Sequence, residues 1–340
     1  MMKRYAFETG VYRPPSEGGS DSLLVRFTRN CPWNRCGFCA MYKQERFEVR
    51  SVEDICRDID AMAAVANDLR DSSRKLGHGG HICHDGAMAL MGQVPELNHH
   101  PGFAMLYHWL LSGGRTAFLQ DANSLIMKTG DLIEALTCLR TTFASIERVT
   151  SYARARTVER KPASELAAIC AAGLDRLHLG LETGDDDLLR SIHKGVSADG
   201  QIKAGKKAMA AGFQISEYWM PGLGGRAMTD GHAENTARVL NEINPHYIRS
   251  RPFRPIRGTP LRKALDQGKF EMPSAKEQLL EIRRMVEALD VTSRVCFDHA
   301  GNFWKDRRGA HIFSMSYEGY QFPEEKMALL ARIDEGLSVA

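Results

Sequence analysis

The chain has 340 residues, of which 43% are hydrophobic and 26% charged, and its formal net charge is +3. These values are ordinary for a globular protein, and the length suits one α/β barrel or two smaller domains. The small net charge argues against nucleic acid as a partner, and no apolar run is long enough to cross a bilayer. The first twenty residues lack the apolar centre of a secretion signal. Eight cysteines in such a chain indicate reduced thiols, so a cytoplasmic location is expected.

Short apolar runs alternate with longer amphipathic segments along the chain. Six of the short runs are predicted to be strands, at residues 23–27, 116–119, 148–152, 175–179, 215–220 and 246–249. The segments between them carry apolar residues at helical spacing, and the first begins after Ser51, a favourable N-cap. Repeated strand–helix units imply parallel strands with helical crossovers. We therefore predict an α/β fold, a partial (β/α)6 TIM-type barrel of parallel strands.

The same patterns predict three parts of the chain. Residues 1–20 form an N-terminal extension, residues 21–265 the barrel core, and residues 266–340 a C-terminal extension with helices and many aromatic side chains. Residues 75–112 are an insertion in the core that holds six of the twelve histidines. The glycines of this insertion predict a surface or lid loop. A second metal site in the stretch GHGGHICHDG is the alternative.

The most informative stretch is NCPWNRCGFC, which places Cys31, Cys36 and Cys39 directly after the first predicted strand. Three thiolates on one loop can bind three irons of a [4Fe–4S] cluster and leave the fourth iron open, whereas a cluster built only for electron transfer normally has four thiolates. Zinc is the rival, but a structural zinc site also needs a fourth ligand. The loops after the other predicted strands are polar or rich in glycine, and in a barrel such loops share the rim where active sites lie.

This loop, with Phe38 before its last cysteine, resembles that of the radical S-adenosylmethionine superfamily. Three later stretches are similar to the branch that contains oxygen-independent coproporphyrinogen oxidase, Elp3 and the tRNA methylthiotransferases: GLETGDDDLLRSIHKGVSADGQIKAGKKAMAAG, SEYWMPGLGG and YIRSRPFRPIRGTPL. The resemblance covers about residues 20 to 265. The sequence departs from it in two places. The cysteine spacing is Cys-x4-Cys-x2-Cys, one residue longer than usual in the first gap, and Asp121-Ala122-Asn123 stands where a Gly-Gly-Glu segment is usual.

The resemblance implies an enzyme whose catalytic and metal-binding residues are Cys31, Cys36 and Cys39. They would hold a [4Fe–4S] cluster that binds S-adenosylmethionine at its open iron, and reductive cleavage would give a 5′-deoxyadenosyl radical that abstracts hydrogen from a substrate. Further residues implied at the cofactor are Phe38, Asn123, Ser151, Glu182, Gly222, Gly224 and Arg249. For two of them a structural role is the alternative: Glu182 as a charge at a helix N-terminus, and Asn123 as a helix cap.

The expected substrate is a small molecule, and the expected electron donor is a protein such as ferredoxin or flavodoxin. One alternative is an enzyme of the same mechanism that modifies tRNA, against which stand the near-neutral charge and the lack of room for the extra domains of the methylthiotransferases. The other is a non-enzymatic iron–sulfur module for electron transfer. Asp298 and His299 are candidates for an acid and a base near the substrate, or for an ordinary pair at a helix start.

Overall fold

The computed structural model describes residues 4–10 and 22–339, so residues 1–3 and 11–20 of the predicted N-terminal extension lie outside the described part. The described strands form a mostly parallel sheet of eight strands and a separate antiparallel pair, which confirms the predicted α/β class. No helix in the described part is long and apolar enough to cross a membrane. The chain divides into two compact units, the first with Met1–Pro32, Arg46–Tyr152 and Ala167–Arg176, the second with Trp33–Glu45, Ala153–Leu166 and Leu177–Ala340.

The first half of the chain begins with three strands and continues with alternating helices and strands. In chain order its elements are β1 (Ser22–Arg26), β2 (Thr28–Arg29), β3 (Glu48–Val49), α1 (Val52–Lys75), α2 (His84–Gln93), α3 (Phe103–Leu111), β4 (Thr116–Gln120), α4 (Thr129–Thr142) and β5 (Arg148–Ala153). In the first unit β1 pairs in parallel with β4, and β4 pairs in parallel with β5. The short strands β2 and β3 form the separate antiparallel pair.

The second half of the chain repeats this alternation. Its elements are α5 (Ala155–Arg160), α6 (Ala163–Ala171), β6 (Arg176–Glu182), α7 (Asp186–Ser191), α8 (Ala198–Ala210), β7 (Gln214–Trp219), α9 (Gly225–Ile243), β8 (Tyr247–Ser250), α10 (Pro260–Asp266), α11 (Ala275–Ala288), β9 (Arg294–Cys296), β10 (Tyr320–Gln321) and α12 (Lys326–Leu337). In the second unit β7 pairs in parallel with β8, and β8 with β9, while β10 is antiparallel to β9. The apolar faces of α9, α11 and α12 join these strands in one core.

Local signals in the sequence explain where several elements begin and end. Ser51 caps α1 as predicted, because its side chain accepts a hydrogen bond from the backbone N–H of Asp54. Ile55, Ile59 and other apolar residues of this helix are fully buried at helical spacing. All six predicted strands form, as β1, β4, β5, β6, β7 and β8. The two further strands of the large sheet, β9 and β10, come from the predicted C-terminal extension.

The structure corrects the prediction for the histidine-rich insertion. Residues 75–112 were expected to form a surface or lid loop, but they contain α2, a 3-10 helix (Pro95–His99) and α3. Leu106 and Trp109 of α3 are fully buried. Among the described residues, no three His, Cys, Asp or Glu side chains are arranged to hold a metal ion, either here or elsewhere. The insertion is therefore a packed helical layer.

Candidate active site

Two of the three loop cysteines share one turn in the second unit. The backbone N–H of Cys39 donates to the carbonyl of Cys36 at 3.3 Å. The ammonium group of Lys43 braces the turn, because its Nζ donates to the carbonyls of Asn34 and Cys36, both at 2.9 Å. Asn34 has a left-handed backbone with φ of 49°, which asparagine tolerates better than most residues. The turn is therefore fixed by backbone contacts as well as by its sequence.

The start of the cysteine loop is held separately, in the first unit. Asn30, directly before Cys31, donates its backbone N–H to Oδ2 of Asp121 at 2.8 Å. The same carboxylate is nearly fully buried and forms an ion pair with Arg26, whose Nη2 lies 2.6 Å from Oδ2. Asp121 is the first residue of the segment that stands in place of Gly-Gly-Glu. The segment thus contributes an anchor for the loop that carries Cys31.

Arg26 also links this anchor to the N-terminal segment of the first unit. Its Nη1 lies 2.6 Å from Oε1 of Glu8, and Arg29 binds the same carboxylate with Nη2 at 2.6 Å from Oε2. The hydrogen bond from Arg29 lowers the pKa of Glu8 despite its partial burial. The carboxylate therefore stays ionised at neutral pH, between the guanidinium groups of Arg26, at the end of β1, and Arg29, in β2.

The three thiols have the donor chemistry that an iron–sulfur cluster requires. Cys31, Cys36 and Cys39 are all half-buried and none is in a disulfide. No group of described residues is arranged to bind a single metal ion. A cubane cluster has a different geometry, because each thiolate binds a different iron. The residue types, their exposure and their free thiols fit the predicted cluster.

Phe38 packs the loop onto an apolar cluster of the second unit. Its ring is partly buried against a group that includes Ile192, Met220 and Phe253. The neighbouring Gly37 donates its N–H to the carbonyl of Ile192 at 2.8 Å. The predicted role of Phe38 at the adenine stays a prediction, and the structure adds a packing role for its ring.

Glu182 ends β6 in an unusual backbone conformation. Its φ is 62°, which costs energy for a residue other than glycine and is found mostly where function or neighbouring structure demands it. Its Oε1 accepts a hydrogen bond from Nζ of Lys194 at 2.7 Å, and both side chains are only 12% exposed. A Cβ atom at position 180 would lie 2.2 Å from that oxygen, so Gly180 makes room for the ion pair.

The alternative role of Glu182, a charge at a helix N-terminus, is wrong. The helix that follows, α7, begins at Asp186, and its cap is Asp185, whose Oδ1 accepts from the N–H of Leu188 at 2.9 Å. Glu182 is instead committed to Lys194. A carboxylate with one oxygen engaged by Lys194 can still accept hydrogen bonds from a diol or an ammonium group at its remaining lone pairs.

Three side chains fix the backbone turn that carries Lys194. The indole Nε1 of Trp33 donates to the carbonyl of His193 at 2.7 Å, and Nη2 of Arg154 donates to the carbonyl of Lys194 at 2.8 Å. Nη1 of Arg156 donates to the carbonyl of residue 195 at 3.2 Å. Trp33 belongs to the longer first gap of the cysteine loop. The extra length therefore provides a contact to the turn that positions the partner of Glu182.

We expect Trp33→Phe to weaken this support without removing the ring. The variant loses the hydrogen bond to His193, worth about 1 kcal/mol, and S-adenosylmethionine affinity should fall about fivefold because Lys194 is less well fixed. Titration of the reconstituted cluster's absorption with S-adenosylmethionine measures this change. Trp33→Ala, which also removes the ring under the Arg154 guanidinium, should have the larger effect. Equal affinity in all three proteins would contradict the positioning role.

A second carboxyl group lies close to this ion pair. Glu217 on β7 is 2% exposed, and burial raises its pKa to about 8, with the Lys194 charge acting to lower the pKa and the Glu182 charge to raise it. Glu217 is therefore largely protonated at neutral pH and can donate a hydrogen bond. The pattern of the sequence did not single out this residue.

Glu217→Gln should change how stability depends on pH. Because the pKa of Glu217 is raised on folding from 4.5 to about 8, its contribution is complete below about pH 4.5 and is lost as pH rises through 8. Between pH 5 and 8 the free energy of unfolding of the wild type should fall, relative to the variant, on the order of 3 kcal/mol. Urea unfolding of the apo proteins at both pH values measures the difference. Parallel pH profiles would show that Glu217 is ionised in the folded protein.

Arg249, also predicted at the cofactor, is fully buried on β8. Its Nε donates to Oγ of Ser216 at 3.1 Å, and its Nη1 lies 2.8 Å from Oδ2 of Asp298. The guanidinium carbon lies 4.3 Å from the ring centre of Tyr317. Nη2 has no hydrogen-bond partner among the described residues, so one donor of this arginine is left for a ligand or a water molecule.

Gly222 and Gly224, the two glycines predicted at the cofactor, are closely packed against other parts of the protein. Gly222 has φ of 81° and donates its N–H to Oε1 of Glu281 at 2.7 Å. A Cβ atom at Gly222 would lie 2.3 Å from Nε2 of Gln278, and one at Gly224 would lie 3.0 Å from Cβ of Met228. A side chain at position 222 would be strained by the positive φ and would have to displace Gln278, and one at position 224 would be tightly packed against Met228. The contact of both glycines with the cofactor stays a prediction.

Asp298 and His299 follow β9, and no helix begins at them in the described chain, so the reading as a helix-start pair is wrong. Asp298 is bound to Arg249. Burial, with the charges of Arg251 and Arg254, lowers the pKa of His299 to about 4, so its ring is neutral at pH 7. Its Nδ1 accepts from the N–H of Gly301 at 3.0 Å, which leaves the proton on Nε2.

Asn123 and Ser151 lie in the first unit and are both fully buried. Asn123 occupies the N-cap position of a short 3-10 helix (Ser124–Ile126), as the alternative expected, but its side chain makes no capping hydrogen bond. Oγ of Ser151 donates to the carbonyl of Tyr152 at 3.0 Å. Their predicted contacts with the cofactor are not decided by these facts.

Comparison with solved structures finds distant similarities only. No protein-family model and no curated protein matches the chain. Methylornithine synthase (PylB) matches over 94% of this chain and 72% of its own, at 15% identity and a TM-score of 0.48. Elp3 of Methanocaldococcus infernus matches over 73% and 58%, at 12% identity and a TM-score of 0.47. Coproporphyrinogen III oxidase (HemN) of Escherichia coli, a radical SAM enzyme, matches over 78% and 51%, at 14% identity and a TM-score of 0.45.

The chain is similar to these proteins only distantly, with TM-scores below 0.5 in all three cases. It spans little more than half the length of the Elp3 and oxidase chains. A functional conclusion has to come from the residues of this chain.

Proposed function

We propose that this chain is a radical S-adenosylmethionine enzyme that acts on a small molecule. A [4Fe–4S] cluster on Cys31, Cys36 and Cys39, with S-adenosylmethionine bound at its open iron, would supply a 5′-deoxyadenosyl radical that abstracts hydrogen from the substrate. The observation that carries the proposal is the loop itself, with three half-buried free thiols and a turn braced by Lys43. An electron donor such as ferredoxin or flavodoxin is the implied partner.

The protein's own contribution is binding and orientation. Lys43 and the Trp33 contact hold the loop in place before any ligand arrives, which reduces the ordering cost of binding. Lys194 orients the carboxylate of Glu182 through a charge-assisted hydrogen bond of 2.7 Å. A carboxylate so placed accepts hydrogen bonds from ribose hydroxyls or an amino group.

The remaining features agree with this proposal. The net charge of +3 gives no electrostatic reason for a nucleic-acid substrate, which favours a small molecule over tRNA. All eight cysteines are free thiols, as expected in a reducing compartment, and we propose the cytoplasm.

Anaerobic reconstitution tests the proposal. The protein is loaded with iron and sulfide, assayed for both, and then mixed with S-adenosylmethionine and dithionite. We expect about four irons and four sulfides per chain and formation of 5′-deoxyadenosine. A loaded protein that forms none would be an electron-transfer module, and a protein that takes up zinc alone would refute the cluster. A gel shift with tRNA would favour the RNA-modifying alternative.

A further inference from the structure

A basic face lies beside the cysteine loop in the second unit, and two of its arginines, Arg35 and Arg190, have no part in the proposed activity. It consists of Trp33, Arg35, Arg156, Arg190 and His193, which line a depression of about 530 Å³ together with Asp186, Leu189 and residues 195–197. We call it the Trp33 face. Arg35 is next to Cys36 in the sequence, so this face is continuous with the proposed cluster loop.

The arginines of the face exceed its acids. The guanidinium of Arg35 lies over the Trp33 ring, 5.1 Å from its centre, and neither Arg35 nor Arg156 forms an ion pair with any described residue. Arg190 pairs with Asp187, both strongly exposed. Asp186 is the only acid that lines the depression in the described residues. The exposed charge here is therefore positive.

The indole ring of Trp33, at the centre of the face, is held in one position by its contacts. Trp33 is fixed by its hydrogen bond to the carbonyl of His193 at 2.7 Å, and a Cβ atom at Gly195 would lie 2.4 Å from the indole, so the ring packs directly on the backbone. Fixed aromatic and arginine side chains, with little order to lose on binding, are typical of the centres of protein interfaces.

We propose that the Trp33 face is the docking surface for a small acidic electron-transfer protein. This inference rests on the proposed function, which needs one electron from outside for each cleavage. In that step the anionic flavin hydroquinone of a flavodoxin becomes the neutral semiquinone, and the oxidised cluster is reduced by one electron, with no proton transferred. A positive surface next to Cys36 attracts an acidic donor and orients it towards the cluster.

The test compares two reductants in one assay. We expect Arg35→Glu with Arg190→Glu to lower flavodoxin-driven formation of 5′-deoxyadenosine at least tenfold at low salt, while the dithionite-driven rate stays within twofold of wild type. The flavodoxin-driven wild-type rate should fall as salt is added. A matched control is Arg307→Glu with Arg332→Glu, two exposed arginines elsewhere in the second unit that have no ion pair with any described residue. This control should leave both rates unchanged.

A binding measurement makes the test independent of turnover. Anisotropy of labelled flavodoxin, titrated with the reconstituted protein, should show at least tenfold weaker binding to the Arg35 and Arg190 variant and unchanged binding to the control. Arg35→Glu alone, which removes the contact with the Trp33 ring and reverses one charge of the face, serves if the double variant loses iron. Equal loss with both reductants would overturn the proposal in favour of a small-anion site, and so would undiminished flavodoxin binding. Failure of the wild type with dithionite would refute the proposed function instead.

Discussion

Cys36→Ala is expected to abolish cluster loading. Two thiolates cannot hold a cubane cluster that needs three irons anchored, and Cys36 is at the centre of the turn that Lys43 braces. Iron and sulfide per chain should fall to background, and 5′-deoxyadenosine formation should fall below detection. Colorimetric iron and sulfide assays after anaerobic reconstitution measure the first effect, and chromatography of the reaction mixture measures the second.

The matched control is Cys170→Ala. Cys170 lies on α6, is a half-buried free thiol like Cys36, and has its pKa raised by burial and by Asp175, so it is a poor thiolate ligand. This variant should load iron and sulfide as the wild type does. If Cys36→Ala takes up as much iron and sulfide as the wild type, the three-cysteine cluster site is refuted.

Glu182→Gln and Lys194→Met are expected to weaken S-adenosylmethionine binding at least tenfold while the cluster stays intact. Each change breaks a charge-assisted hydrogen bond of 2.7 Å between two groups that are 12% exposed. Such bonds are worth about 1.5–3 kcal/mol, a factor of about 10 to 150 in affinity. Lys194→Met also leaves the Glu182 carboxylate unpaired, so its loss should be at least as large. Titration of the cluster's absorption with S-adenosylmethionine gives the affinity.

An exposed ion pair of the same length supplies the control. Nζ of Lys206 lies 2.7 Å from Oε2 of Glu242, with both side chains about half exposed. Glu242→Gln should leave affinity and iron content unchanged, because exposed pairs contribute little. If Glu182→Gln binds S-adenosylmethionine as tightly as Glu242→Gln does, Glu182 has no part in the site.

Much of the fold could be predicted because its signals are local. Ser51 marks the start of α1, where its side chain forms the cap hydrogen bond. Gly173 ends the helical segment before β6, and its φ of 100° is one that glycine adopts readily. The helices of the insertion carry no such signal: α2 starts after Cys83 and α3 after Gly102, neither with a side-chain cap. The neighbouring glycines favour a loop in the sequence. Helices form nevertheless, because they bury their apolar side chains.

The site was predicted less completely than the fold, because its contacts join distant residues. Lys194 reaches Glu182 across twelve positions and needs positive φ angles at Glu182 and His193. The local sequence predicts neither this ion pair nor the hydrogen bond from Trp33 to the carbonyl of His193. The start of helix α7 could have been predicted from the sequence, because Asp185 followed by two acidic residues is a recognisable N-cap pattern.

The attachment of Glu8 to Arg26 and Arg29 has a practical consequence for anyone preparing the protein. Its backbone N–H also donates to Oδ2 of Asp58 on α1 at 3.0 Å, so this early stretch is bound to the folded body at several points. Trimming the chain to begin at residue 22 would remove the carboxylate that Arg26 and Arg29 share, and would leave Arg26 paired with Asp121 alone and Arg29 with Glu48 alone.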